Sequence, residues 1–128
     1  MLKVAEVMSE SVLTLSPTST LGEATVTLAT LGVSGAPVIE ADRLVGVFSK
    51  SDIIDDLSDG EINLNDLVGR TMSKRVVTVA PDDDVRVAIR RFAEDGVHRV
   101  VVVSDSGSVV GILTALDIVR ALHAGRLV

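Results

Sequence analysis

Apolar and polar positions along this chain follow two patterns, one typical of amphipathic helices and the other typical of buried strands. In residues 21–31 the apolar positions recur at steps of three and four, which predicts an amphipathic helix. Continuous apolar runs at residues 36–39 and 44–48 predict two buried strands around a turn at 41–43. A short helix at 51–57 follows directly. The inward positions predicted for the first helix are Leu21, Ala24, Leu28 and Leu31.

The same order of elements returns in the second half of the chain. At one constant offset, Met8 matches Met72, Thr14 matches Thr78, Pro17 matches Pro81 and Gly32 matches Gly96. After a hairpin turn one residue longer, Gly46 matches Gly111, Ser49 matches Thr114 and Asp52 matches Asp117. The register indicates a duplicated unit. The second copy is predicted to have strands at 76–79, 99–103 and 109–113, a helix burying Val85, Ala88, Ile89 and Phe92, and a last helix at 115–123.

Polar residues mark the start of the long helix in each copy. Ser19 or Thr20 can cap the first, with Glu23 placed to complete a capping box, and Asp82 or Asp83 can cap the second. A glycine follows each helix at the position where a C-terminal stop is expected.

Two repeats, residues 1–62 and 63–128, follow from this register. Short strands that alternate with helices predict an α/β fold, α+β by some schemes, in which each repeat is βαββα. A repeat of about 60 residues buries too small a fraction of its surface to be stable alone. We therefore expect the two repeats to pack through their sheets around a pseudo-twofold axis, as one compact unit with two clefts as candidate ligand sites.

Composition narrows the classes of function. Hydrophobic residues make up 47% of the chain but aromatic residues only 2%, so the core is aliphatic and there is no Trp or Tyr to stack on bases. The formal net charge of −6 repels nucleic-acid backbones. No apolar run approaches the ~20 residues of a membrane helix, and no signal-peptide pattern opens the chain. The chain has no cysteine, which fits a reducing compartment, so we expect a cytoplasmic protein. From the charge and the short apolar runs, we expect it to bind neither nucleic acid nor membrane.

The ordered set of matched residues, present twice, resembles a tandem pair of cystathionine-β-synthase (CBS) domains, the Bateman module. The resemblance covers about residues 1–127. It implies a regulatory module that binds AMP, ADP, ATP or S-adenosylmethionine in the clefts between repeats. It also implies a homodimer and an effector protein regulated in trans.

The resemblance assigns the sugar and phosphate contacts to the two strand–helix turns. Asp52 and Asp117 would accept hydrogen bonds from the ribose hydroxyls, although a carboxylate in the first turn of a helix is also favoured by the helix dipole alone. Ser49 and Thr114 would meet a phosphate or the ribose edge, or would simply cap their helices. Lys50 would pair with a phosphate or stay solvated; Ala115 takes its place in the second copy.

Further contacts implied by the resemblance involve His98 and Arg99, which would hold phosphates across the twofold. Arg99 has the alternative of pairing with a carboxylate such as Asp95. On this assignment Asp52 would face His98 and Arg99 of the opposite repeat. Asp117 would face the matched residues Ser34 and Gly35, which carry no charge, so the Asp52 cleft is expected to fill first. The adenine would be read by backbone groups of the first extended segment of each copy, residues 12–15 and 76–79, and sandwiched by neighbouring apolar residues, unless these are ordinary core residues. The residues assigned to this contact are Thr14, Thr78, Val79, Val33 and Val97.

No nucleophile–base pair, Walker-type loop or metal constellation is visible, and His98 and His123 lack the spacing of a metal site. We expect no catalysis and no tightly required cofactor. Mg²⁺ would be present only as the counter-ion of bound ATP. Two alternatives stay open. One is a structural dimerisation module without a ligand, and the other is a nucleotide-hydrolysing enzyme.

Overall fold

The protein is described by a computed structural model that covers residues 1–10, 12–58, 60 and 63–127. It is a mixed α+β protein with small sheets, and it forms two compact units. The first-repeat unit is Leu13–Val76. The second-repeat unit combines Met1–Val12 with Val77–Val128.

The first-repeat unit is built on an antiparallel hairpin. Its elements in order are α1 (Leu21–Leu31), β1 (Gly35–Glu40), β2 (Arg43–Ser49), α2 (Lys50–Ser58) and α3 (Val68–Thr71). Ala41 and Asp42 both have positive φ, as a two-residue hairpin turn requires. Leu15 adds a parallel bridge to Val38 on the open side of β1.

The second-repeat unit repeats this plan with a three-stranded sheet. A single 3₁₀ turn (Val4–Glu6) precedes β3 (Thr78–Val79), α4 (Val85–Asp95), β4 (Arg99–Val103), β5 (Val109–Thr114) and α5 (Ala115–His123). The strand order is β3-β4-β5, with β3 parallel and β5 antiparallel to β4. The predicted bounds of β4 and α5 are confirmed to the residue.

Capping differs between the two long helices. Thr20 caps α1 as predicted: its Oγ1 accepts a hydrogen bond from the Glu23 N–H at 3.1 Å, and Glu23 Oε1 accepts from the Thr20 hydroxyl at 3.0 Å. The prediction for α4 was wrong by one residue, because Asp84 is the cap and accepts from the Arg86 N–H at 3.0 Å. Asp83 instead accepts from the Ala80 N–H at 2.9 Å, within the preceding turn.

Each unit has its own core, and its buried residues are aliphatic except for Phe48 in the first-repeat unit. The buried residues of the first-repeat core are Leu15, Leu21, Ala24, Leu28, Ala36, Val38, Phe48 and Val68. Those of the second-repeat core are Val4, Val77, Val79, Val85, Ala88, Val100, Val102, Leu113 and Ile118. The prediction that Leu31 lies inward was wrong, since 57% of it is exposed. The chain reverses at Gly32, the Val33 N–H bonds to the Leu28 carbonyl, and Val33 packs against the core instead.

The leading segment of each repeat packs in the unit named for the other repeat. Residues 2–9, which we call the strap, belong to the second-repeat unit, where Val4 is fully buried and its N–H donates to the Asp83 carbonyl at 2.9 Å. Residues 66–73, the matching segment, lie in the first-repeat unit, where the Val68 N–H donates to the Ser19 carbonyl at 2.8 Å. The chain therefore passes between units after Val12 and after Val76, whereas residue 62, the predicted end of the first repeat, lies outside the described residues.

Candidate functional site

The strand–helix turn of the second-repeat unit is closed by a reciprocal capping box. We call residues 114–117 the Asp117 turn. The Thr114 N–H and hydroxyl both donate to Asp117 Oδ2, at 2.8 and 3.0 Å, and the Asp117 N–H donates back to Thr114 Oγ1 at 3.2 Å. The Thr114 hydroxyl and the Asp117 carboxylate, which the sequence repeat identified as candidates, therefore lie side by side at the N-terminus of α5.

The equivalent turn of the first-repeat unit is more polar. In this Asp52 turn, residues 49–52, the Ser49 N–H donates to Asp52 Oδ2 at 2.8 Å and the Ser49 hydroxyl lies 3.4 Å from the same oxygen. A second hydroxyl joins it, because Ser49 Oγ and Ser51 Oγ are 2.6 Å apart. The residue that matches Ser51 in the other turn is Leu116, which is 54% exposed.

Main-chain hydrogen bonds fix the loop before β1 or β4 against each turn. The Lys50 N–H donates to the Ser34 carbonyl at 2.9 Å, and the Ala115 N–H donates to the His98 carbonyl at 3.3 Å. These matched bonds bring the residue before each hairpin to the start of the helix that follows the hairpin.

Both predicted basic residues of the second copy lie beside the Asp117 turn of their own unit. His98 is exposed, and Arg99 is half-buried and is the direct strand partner of Thr114. In the first-repeat unit the corresponding strand pair is Gly35 with Ser49. Each unit thus places a carboxylate, a hydroxyl and a basic group at one end of its sheet, the basic group being Lys50 in the first and the His98–Arg99 pair in the second.

The segment before α1, whose Leu15 forms an isolated bridge rather than the predicted strand, and strand β3 each expose one side chain and bury the next. Thr14 and Thr78 are exposed, whereas Val79 is buried in its core. Thr14 also lines an open cleft of about 590 Å³ near the β1–β2 hairpin tip. The lining residues are Thr14, Leu15, Ser16, Ser19, Glu23, Ala24, Thr27, Ile39, Ala41 and Asp42, so this cleft does not reach the Asp52 turn.

Val33 and Val97 follow the glycines that end α1 and α4. Gly32 and Gly96 have φ near +66° and +65°, the left-handed conformation that lets the chain reverse there. Val33 and Val97 are partly buried and each packs against the core of its own unit. Their predicted contact with an adenine ring stays a prediction beside this observed packing role.

Two close backbone approaches were not foreseen from the sequence. A Cβ on Gly46 would lie 2.6 Å from Met72 Sδ and 2.8 Å from the Ser73 carbonyl, and one on Gly111 would collide with Met8 Sδ. Glycine is therefore required where the strap and its matching segment cross β5 and β2. The signal was present, since both glycines and both methionines are matched pairs of the repeat.

Two features of the described residues bear on other classes of function. Among residues 1–10, 12–58, 60 and 63–127, no group of three or more His, Cys, Asp or Glu side chains could hold a metal ion. Within the same ranges, every helix is too short or too polar to span a membrane.

Comparisons with known proteins identify the family of this chain and agree with its fold. The family model described as "CBS domain" matches residues 4–59 and again 64–124. A CBS domain protein of Pyrobaculum aerophilum complexed with AMP superimposes with a TM-score of 0.86, at 25% identity, over 98% of each chain.

Two curated relatives come from Methanocaldococcus jannaschii. An uncharacterized protein is 34% identical over 121 residues, which are 94% of this chain and 40% of the relative. An inosine-5′-monophosphate dehydrogenase is 32% identical over 119 residues, which are 92% of this chain and 23% of that enzyme. The chain thus spans less than half the length of these relatives. Because the family model matches both repeats and covers most of the sequence, this chain belongs to the CBS domain family and contains a tandem pair of CBS domains.

Proposed function

We propose that this chain is a regulatory module that binds an adenosine-containing ligand at its two strand–helix turns. The observation that carries the proposal is the duplicated turn, in which a carboxylate, a hydroxyl and a helix N-terminus come together in each unit. A similar CBS domain protein holds AMP, which supports an adenine nucleotide as the ligand class. AMP, ADP, ATP and S-adenosylmethionine are the candidates.

The Asp117 carboxylate has hydrogen-bond acceptor positions beyond those that its capping box uses. Asp117 uses Oδ2 for the capping box, while its Oδ1 lies 3.8 Å from Arg120, whose side chain is 71% exposed. An exposed ion pair of this kind contributes little and is readily replaced. An ionised carboxylate offers about four acceptor positions, so Asp117 can keep its cap and still accept from two ribose hydroxyls.

The phosphate end of the ligand is served by the basic residues and by the N–H groups of α2 and α5. The Asp52 turn carries Lys50 and two neighbouring hydroxyls, whereas the matched positions of the Asp117 turn carry Ala115 and exposed Leu116. The resemblance assigns His98 and Arg99, which lie beside the Asp117 turn within their own unit, to the ligand of Asp52. On that assignment, we propose that the Asp52 turn takes the more highly charged ligands and fills first. Mg²⁺ would enter only with ATP, as its counter-ion.

A homodimer that acts on an effector protein in trans completes the proposal. The outer face of α5 is apolar, with Leu116, Val119 and Leu122 each more than half exposed. An exposed apolar patch of this kind marks an interaction surface, and twofold pairing is the commonest oligomer symmetry. The dehydrogenase match covers less than a quarter of that enzyme, and we propose no catalytic role for this chain.

One observation favours a second candidate, a dimerisation module without a ligand. The reciprocal capping box already gives Thr114 and Asp117 a structural role, so their presence does not require a ligand. The first candidate predicts that the purified protein binds a nucleotide, and the second predicts that it does not.

Calorimetric titration with AMP, ATP and S-adenosylmethionine separates them. Saturable binding of at least one ligand is expected, with loss of one class of site in Asp52→Asn and of the other in Asp117→Asn. Asp105→Asn, at an exposed position of the β4–β5 hairpin, serves as the control and should bind like the unmodified protein. Absence of binding to all three ligands, by a protein whose circular dichroism is that of a folded chain, would favour the module without a ligand.

A further inference from the structure

The strap contacts β5 immediately before the Asp117 turn. Ser9 and Ile112 exchange two main-chain hydrogen bonds, at 2.9 and 3.0 Å, so the strap forms a short additional edge beside this strand. Ile112 precedes Thr114 by only two residues. The backbone of Gly111 lies so close to Met8 that a Cβ at this position would collide with Met8 Sδ. The strap is therefore attached to the strand that delivers the hydroxyl of the turn.

The strap also contacts the segment that follows α5. The Arg126 guanidinium donates to the Glu6 carbonyl at 2.9 Å, and Leu127 packs against the same core cluster as Leu2, Val7 and Met8. The β5–α5 segment that contains Asp117 is consequently attached to the strap on both sides, through Ile112 in β5 and through Arg126 after α5.

The strap is anchored by a single fully buried side chain, Val4. Leu2, Val7 and Met8 are only partly buried against the core, and main-chain hydrogen bonds, such as that from the Ala5 N–H to the Pro81 carbonyl at 2.9 Å, add to the attachment. Segments with few buried apolar contacts open at a free-energy cost well below that of global unfolding. Release of the strap is thus available to the folded protein as a separate step.

We propose that the strap is a conformational device that reads the occupancy of the Asp117 turn. A ligand that fixes the turn holds β5 and α5 in the arrangement to which the strap binds, so ligand binding and strap docking favour each other. By linkage the two effects are equal in size, and a strap that is released must weaken the ligand by the same factor. This inference rests on the proposed function, since it assigns a regulatory output to one of the two proposed sites.

The duplicated architecture offers a matched pair of variants. Gly111→Ala places a methyl group against Met8 and 3.1 Å from the Ser9 carbonyl, which pushes the strap off β5 without altering Thr114 or Asp117. Gly46→Ala does the same to Met72 and Ser73 in the first-repeat unit and is the control. Arg126→Ala removes the other attachment without adding bulk.

Hydrogen–deuterium exchange of the strap amides, read by mass spectrometry in an Asp52→Ala background, tests the coupling. Saturating AMP should slow exchange of residues 2–9 by about tenfold or more, the size of a typical coupling between two sites. Gly111→Ala and Arg126→Ala should speed it and weaken AMP, and Gly46→Ala should do neither. AMP that protects residues 114–120 but leaves strap exchange unchanged would overturn the proposal, as would strap release without loss of affinity.

A ligand-free arm separates failure of the coupling from failure of the proposed function. Thr114→Ala breaks the capping box of the Asp117 turn and should speed strap exchange, while Ser49→Ala should not. If AMP fails to bind at all but Thr114→Ala releases the strap, the proposed ligand is wrong and the coupling stands. If Thr114→Ala leaves the strap unchanged, the coupling is refuted whatever binds.

Discussion

At the scale of single residues, Asp52 and Asp117 are structural and chemical at once. Each holds the N–H of the residue that ends its strand, at 2.8 Å in both units. The same ionised group is the natural acceptor for a pair of neighbouring hydroxyls. A substitution at either position therefore removes a capping interaction and a proposed ligand contact together, and the experiment must separate the two losses.

Asp52→Ala should weaken AMP at the Asp52 turn by roughly 1.5–3 kcal/mol, the range for a hydrogen bond to a charged group. Comparing AMP with 2′-deoxy-AMP by calorimetry isolates the ribose contact. In an Asp117→Asn background, which leaves only the Asp52 turn, the protein should prefer AMP, and adding Asp52→Ala should make it bind the two nucleotides equally. A preference that survives the substitution would show that Asp52 does not read the ribose.

Arg99→Ala should lower affinity for ATP more than affinity for adenosine, because bidentate contact with phosphate is lost while the nucleoside contacts remain. Arg99 is the strand partner of Thr114, whereas the family resemblance assigns it to the ligand of Asp52. Combining Arg99→Ala with Asp52→Asn and, separately, with Asp117→Asn identifies the turn that it serves. Equal losses for ATP and adenosine would leave Arg99 without a phosphate role.

At the scale of elements, helix caps decide where the long helices begin. Thr20→Ala removes the hydroxyl that caps α1 and should lower the free energy of unfolding by about 1 kcal/mol, as caps of this kind do. Ser19→Ala is the control, because Thr20 and not Ser19 caps α1. Urea denaturation followed by circular dichroism measures both variants, and a loss as large in Ser19→Ala would contradict the assignment.

Local signals predicted the elements better than they predicted their partners. The bounds of β4 and α5 follow from apolar runs and a hydroxyl–carboxylate pair that are read within a few residues. The α4 cap was missed because Asp82, Asp83 and Asp84 are chemically equal in sequence and only the backbone selects among them. Leu31 was placed inward because periodicity does not reveal that a reversal at the helix end brings in Val33 instead.

For the candidate site, the sequence repeat identified both strand–helix turns. In the structure the Ser49 N–H donates to Asp52 Oδ2, and the matched Thr114 N–H donates to Asp117 Oδ2. What the sequence could not supply was the setting of those turns. The matched Met–Gly pairs signal a close approach, but the strap and its matching segment have nearly equal patterns, so sequence does not say which unit each one joins. That choice depends on buried contacts of Val4 and Val68 with residues distant in the chain.

At the scale of the whole molecule, the exchange of leading segments makes both units depend on both halves of the chain. Residues 1–12 complete the unit that contains the second repeat, and residues 63–76 complete the unit that contains most of the first. A half-chain made alone lacks the segment that fills its core and is also small. Residues 1–62 and 63–128, expressed separately, should each be largely unfolded by circular dichroism.

Cleavage of the intact protein gives the opposite expectation. With a protease site in place of residues 61–62, cutting after folding should leave the two fragments associated, because each contributes to both cores: one supplies Val4 to the second-repeat unit, and the other supplies Val68 to the first. Size-exclusion chromatography should show co-elution in native buffer and separation in urea. The uncut protein and a version carrying the site but not exposed to protease are the controls. Fragments that part in native buffer, each retaining its own circular dichroism, would show that the sequence repeats and not the exchanged units are the folding units.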